Sequence, residues 1–223
     1  MRPTSEVMAG DEFVVLCDDG GRAIGTQSKA TVHHASTPLH LAFSCYVFDD
    51  ADRVLVTRRA TGKPTWPGVR TNSCCGHPLP DEPMADGIGR RLRHELGLTP
   101  VRLDLVLPTF RYQAIMTDGT MENELCPVYR AVVDAADLQP NTAEVADAWW
   151  QTWPEFNATA ADPDDVLSPW SSTQLAALRQ LGSDPRRWPP ADRSLLPAAA
   201  LCDRRGRPER RGERGHPTAG PAS

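Results

Sequence analysis

Between Pro83 and Gly97, Met84, Ile88, Leu92 and Leu96 recur every fourth residue, a spacing that puts four apolar side chains on one face of an α-helix. A helix over residues 84–98 must bury that stripe against something, and the rest of the chain offers mainly β-strands. Gly87 and Gly89 weaken the helix by about 1 kcal/mol each relative to alanine, and Gly97 supplies a C-terminal stop. "EFVVLC" and "RAIGTQSK" flank "DDGG", a hairpin signal. "LHLAFSCYVF" and "RVLVTRR" read as two strands around "DDAD", and further strands fit "RLDLVLPTFRYQAIM" and "MENELCPVYRAVV", joined at "TDGT". "SPWSSTQLAALRQL" reads as a second amphipathic helix. Helices packed on sheets place the chain in the α/β (α+β) class.

With 223 residues and 40% hydrophobic content, the chain can build one domain, assigned to residues 1–182. Residues 183–223 turn to Pro, Arg and Gly and are expected to form a disordered tail. The net charge of −5 is uneven: residues 203–223 hold six arginines against three acids, so the remainder is more acidic than the total. Nucleic acid is therefore not an expected partner. No apolar run is long enough to span a membrane and the first residues lack a secretory signal, so a cytoplasmic monomer is expected. The six cysteines form no C-x-x-C pair and read as reduced thiols.

In "ENE", Glu122 and Glu124 are two apart on a strand and point to one face. Such a pair alone fits an exposed polar strand face better than a site. With His33, His40 and His77 it would make a three-imidazole, two-carboxylate set suited to Mn²⁺, Zn²⁺ or Fe²⁺. His34 is an alternative to His33, and His40 could be a core histidine. From Gly76 the chain reads G-x5-E-x7-R, then Leu92, Glu95, Gly97 and Leu98, a partial match to the diphosphate-binding Nudix box. Arg91 and His94 stand where a hydrolase carries metal-binding glutamates, which leaves Glu95 for a single Mg²⁺. Arg91 and Glu95 are also spaced for a helix-surface ion pair. Lys29, Arg59 and Lys63 flank the same loop and, with Arg91, could hold a diphosphate.

Taken together, "LHLAFS", "VTRRA", "WPGVRTNSCCGHP", "RRLRHELG", "FRYQA", "ENELCPV" and "SPW" resemble the type 1 isopentenyl-diphosphate δ-isomerases, from about Lys29 to Trp170. The resemblance implies a Nudix-type α/β/α sandwich with a mixed sheet. It implies conversion of isopentenyl to dimethylallyl diphosphate by proton transfer through a tertiary carbocation. Cys75 and Glu124 would handle the protons from opposite faces, Tyr112 would assist at Glu124, and Trp170 would face the cation. His33, His40, His77, Glu122 and Glu124 would hold a first ion, Mn²⁺ or Zn²⁺. Glu95 and the Cys75 carbonyl would hold Mg²⁺, and Lys29, Arg59, Lys63 and Arg91 the diphosphate.

Two other readings are a Nudix hydrolase, against which Arg91 and His94 count, and a zinc-stabilised binding module, for which the chain lacks a four-ligand Cys/His spacing. Three features depart from the family: Arg70 where relatives commonly carry an aromatic residue, the helix glycines, and the Arg-Pro-Gly tail. Of the adjacent cysteines in "TNSCCGHP", Cys75 is expected to react and Cys74 to pack.

Overall fold

The computed structural model describes residues 12–160, 162, 164 and 166–202. In chain order these form β1 Phe13–Cys17, β2 Ala23–Ser28, α1 Lys29–Val32, β3 His40–Leu41, β4 Phe43–Phe48, β5 Arg53–Arg59, β6 Arg70–Thr71, β7 Cys74–Gly76 and α2 Met84–Leu96. Then come β8 Arg102–Leu107, β9 Arg111–Ile115, β10 Met121–Leu125, β11 Val128–Val132, β12 Val145–Thr152, α3 Trp153–Thr159 and α4 Pro169–Arg179. Among the described residues, one sheet runs β2-β1-β3-β10-β9 and the other β12-β5-β4-β11-β8, with β6 on β5 and β7 on β4. Parallel and antiparallel pairs mix in both, an α+β arrangement.

Three stretches expected as continuous strands break and cross from one sheet to the other. "LHLAFSCYVF" divides at Ala42 into β3 and β4, and "MENELCPVYRAVV" divides at Cys126–Pro127 into β10 and β11. "RLDLVLPTFRYQAIM" divides after Leu107 into β8 and β9. Pro127 and Pro108 lack the N–H a continuous ladder would use, so a break is cheapest there. The crossings are sealed by other bonds: Ala42 donates to the Leu125 carbonyl, Ser44 to that of Pro127 and Cys126 to that of Phe110. A small apolar cluster of Ala42, Tyr112, Ala114, Cys126 and Trp170 forms where the sheets part, and the cavity described below opens there.

The α2 stripe behaves as its spacing dictates. Met84, Ile88, Leu92 and Leu96 are buried in the main core with Leu41, Phe43 and Cys74, each such side chain contributing about 1.5–3 kcal/mol. Gly97 ends the helix at φ 72°, its N–H bonded to Arg93 while Leu98 N–H reaches Leu92. Gly87, which weakens the helix in isolation, packs close beneath the preceding loop. A Cβ there would lie 2.9 Å from a Glu82 carboxylate oxygen and 3.4 Å from Pro78 Cα.

The expected tail from residue 183 needs correction as far as Cys202. Residues 184–202 run along the domain in short 3₁₀ turns at Pro185–Arg187, Arg193–Leu195 and Ala198–Ala200. Trp188 is 1% exposed, wedged against Trp153 and Phe48, and Leu196, Ala200 and Leu201 join the main core. Ala191 donates to the Leu105 carbonyl and Ala199 to that of Gly21. A handful of apolar residues suffices to dock a polar segment when the domain supplies the groove. Residues 203–223 of the expected tail lie outside the described residues.

Candidate active site

Strand register assembles the first part of the site. Pairing β10 parallel to β3 sets Glu124 opposite His40, and pairing it antiparallel to β9 sets Glu124 opposite Tyr112. Alternation then turns Glu122 to the same face as Glu124. The Tyr112 hydroxyl lies 2.7 Å from Glu122 Oε2 and 2.8 Å from Glu124 Oε2, a donor between two buried carboxylates. His33, at the end of α1, and His77, just past β7, complete a trio with His40 whose ring centroids are 5.1–5.8 Å apart.

One ligand atom each from His33, His40, His77 and Glu124 lies within 4.8 Å of the others. His77 Nε2 is 3.1 Å and His40 Nε2 3.5 Å from Glu124 Oε1. The His40 Nδ1–H donates to the Pro38 carbonyl at 2.9 Å, which turns the Nε2 lone pair inward, the usual support of a metal-ligating histidine. His33 Nε2, His40 Nε2 and His77 Nδ1 are buried without a hydrogen-bond partner. Burial pushes His33 down to about 3 and His77 down to about 4, so both rings are neutral, the form that binds metal. Burial also acts on His40, but the Glu124 carboxylate outweighs it and raises the ring. On Glu124 burial is likewise overcome, here by His40 and His77, which hold its carboxyl well below the usual range. Orphaned nitrogens, two neutral rings and a carboxylate fit a divalent cation. Glu122 stands outside this group of four; burial and the charge of Glu124 raise its carboxyl to about 7. His34 is exposed, its Nδ1 accepting from Ser36 N–H, so His33 is the member of the pair that joins the cluster.

The cysteine pair divides as strand alternation requires. Pairing of β7 with β4 sets Cys74 opposite Cys45 and Cys75 opposite Ser44. Cys74 points into the main core and Cys75 toward the cavity. The Cys75 thiol donates to Asn72 Oδ1 at 3.1 Å and sits 3.2 Å from Ser44 Oγ. Burial pushes it up to about 12, so the sulfur holds its proton at neutral pH. The Asn72 amide nitrogen is committed to the carbonyls of Cys45 and Cys74, which aims its oxygen at the thiol. That oxygen also receives Ser171 Oγ at 2.9 Å and Trp170 Nε1 at 3.2 Å. Asn72 thus fixes the indole and the thiol against one atom.

Lys29, Arg59, Lys63 and Arg91 line a single cavity of about 110 Å³ with Cys75, Glu124, Tyr112 and Trp170. Each cation is already engaged. Lys29 bonds Glu12 at 2.5 Å, and Lys63 pairs with Glu144. Arg59 bonds the Thr65 carbonyl and hydroxyl, with its guanidinium 5.7 Å from the Trp170 ring centre. Arg91 donates twice to Glu95 Oε1, at 2.9 and 2.5 Å, so the helix-surface ion pair forms, though buried. His40 and Glu95 are not among the residues that line the cavity. Arg70, the departure beside the catalytic loop, is 1% exposed and bonds Thr159, and its carbonyl takes Ser168 N–H. It anchors the start of α4, and with it Trp170. Sequence reasoning missed Glu12, Asn72 and Glu144. Asn72 lies inside the "TNSCCGHP" signature, whereas the two glutamates had no local signal, since each acts on cations distant in the chain.

Residues 38–171 match the family model described as NUDIX domain. A Saccharopolyspora erythraea protein named isopentenyl-diphosphate Delta-isomerase is 53% identical over 190 residues, covering 85% of this chain and 97% of its own. One of the same name from Mycolicibacterium vanbaalenii is 54% identical over 173 residues, 77% of this chain and 93% of its own. Among solved structures, DR0079 from Deinococcus radiodurans aligns with a TM-score of 0.58 at 15% identity, covering 74% of this chain and 98% of its own. At that identity the likeness is one of fold alone.

Proposed function

The chain belongs to the isopentenyl-diphosphate δ-isomerase family of NUDIX proteins, and from that premise we propose how its own residues carry the reaction. It is an isomerase that interconverts isopentenyl and dimethylallyl diphosphate by moving a carbon–carbon double bond. One proton is added to the terminal methylene carbon, the charge rests on the adjacent tertiary carbon, and one proton leaves from the methylene on the diphosphate side. Two proton-handling groups must reach one small hydrocarbon while water is kept away, since water would trap the cation.

Cys75 and Glu124 are the two groups we assign. The observation that carries the assignment is that one cavity is lined at once by a protonated thiol, an ionised carboxylate, an indole and four cations. The reaction is reversible, so whichever group acts as acid in one direction acts as base in the other. Tyr112, hydrogen-bonded to both Glu122 and Glu124, orients the carboxylate and carries a proton at its edge. The Trp170 indole offers its face to the developing cation, an attraction of about 2 kcal/mol when desolvated. Lys29, Arg59, Lys63 and Arg91 bind the diphosphate. His33, His40, His77 and Glu124, with Glu122, would hold a first divalent ion, Mn²⁺ or Zn²⁺; Glu95 and the Cys75 carbonyl would hold Mg²⁺ brought with the substrate. When bound, these ions supply positive charge that sets the acidity of Glu124 and neutralises the diphosphate. We further propose that the protein works in the cytoplasm as a monomer; no helix among the described residues is long and apolar enough to cross a membrane.

The test is incubation with isopentenyl diphosphate and Mg²⁺ in D₂O. Deuterium should enter the dimethylallyl product. Phosphate release without isomerisation would instead support the hydrolase reading, against which Arg91 and His94 already count.

A further inference from the structure

Glu144 reaches the site from the turn before β12 and meets the diphosphate-facing cations from behind. Its carboxylate pairs with Lys63, lies 3.4 Å from Arg91 and accepts or shares a contact with His94 at 3.2 Å. Lys63 and Arg91 line the cavity, and Glu144 does not. These partners come from different elements: Lys63 from the loop after β5, Arg91 and His94 from α2.

The backbone under Glu144 is fixed on both sides. Ala60 N–H donates to the Glu144 carbonyl at 3.0 Å, and Glu144 N–H closes a turn onto the Asn141 carbonyl at 2.9 Å. Asn141 N–H in turn donates to the Glu95 carbonyl at 2.8 Å, bolting the turn to the end of α2. The carboxylate side chain is only 17% exposed. Burial pushes its carboxyl up, but Lys63 and Arg91 outweigh this and hold it down at about 2, so it is ionised at any working pH.

Two cations on one cavity wall repel each other, and a long lysine left alone samples many rotamers. A rigid carboxylate behind them removes both problems, since it draws Lys63 and Arg91 to fixed points and balances their charge until a diphosphate arrives. We propose that Glu144 is a positioning residue for substrate binding, holding Lys63 and Arg91 in the geometry that selects a diphosphate. It does not touch the reacting carbons. This rests on the assignment of those cations to the diphosphate given above.

The test compares wild type with Glu144→Gln, which keeps the shape and loses the charge, and Glu144→Asp, which keeps the charge on a shorter arm. Inorganic pyrophosphate binding is measured by calorimetry, together with inorganic phosphate, and kcat and KM are measured separately. For Glu144→Gln, pyrophosphate Kd and KM should both rise about tenfold while kcat stays within about threefold and phosphate binding hardly changes. Glu144→Asp should recover part of the loss. A Glu144→Gln/Lys63→Ala double variant should lose less than the product of the single losses. Unchanged pyrophosphate affinity would overturn the proposal. So would tighter binding, which would make Glu144 a competitor of the substrate, or a loss matched by a fall in thermal stability that the aspartate does not relieve. Because pyrophosphate binding is read without turnover, an inactive wild type would count against the catalytic assignment while leaving this comparison readable.

Discussion

At the scale of single residues, adjacent positions of like chemistry receive opposite duties. Cys74 and Cys75 differ by one step along β7, and that step separates the core from the cavity. Cys75→Ala should abolish isomerisation, measured as dimethylallyl diphosphate formed. Cys74→Ala should keep most activity and lower stability by about 1 kcal/mol in urea unfolding. Equal loss of turnover in both variants would contradict this division. A second expectation concerns acid stability. The Glu144 carboxyl sits at about 2 in the folded chain against an ordinary 4.5, so its contribution is present above pH 4.5 and is lost as pH falls toward 2. Urea midpoints of wild type and Glu144→Gln should therefore differ near neutral pH and converge on acidification. At this scale the site was largely legible. The histidines, glutamates, thiol and cations came from recognisable local strings, while Glu12 and Glu144 were invisible because nothing near them in sequence shows which charge they face.

At the scale of elements, periodicity located α2 well and strands less well. The four-residue stripe of Met84, Ile88, Leu92 and Leu96 has one structural meaning, and Gly97 marks its end because φ 72° excludes most side chains. Gly97→Ala should destabilise the fold by at least about 1–2 kcal/mol in chemical denaturation. Its Cβ would also lie 2.9 Å from Gln139 Cβ, so relief requires moving the 137–139 segment. Strand strings such as "MENELCPVYRAVV" gave β structure correctly but hid the break at Pro127. An apolar run through a crossing looks like an apolar run through one sheet, since both are buried, and only pairing partners distinguish them. The breaks matter because Ala42 and Cys126 sit at them, packed in one apolar cluster with Tyr112 and Trp170, which line the cavity.

At the scale of the whole molecule, composition misled where a few side chains decided the outcome. The stretch after Gly182 is rich in Pro and Arg, yet Trp188, Leu196 and Leu201 dock it over both sheets' flanks. Trp188→Ala should cost about 3–5 kcal/mol of unfolding free energy, whereas a disordered tail would give no change. Activity at temperatures well below unfolding should survive, because Trp188 is absent from the cavity lining. The same contact gives the protein an optical signature of its own. Trp188 and Trp153 are near-perpendicular rings with centroids 5.0 Å apart, close enough for their transition dipoles to couple. Their pairing should produce an exciton couplet in circular dichroism that vanishes when residues 184–202 undock, and that vanishing would report undocking of one segment while the catalytic chemistry goes on unseen.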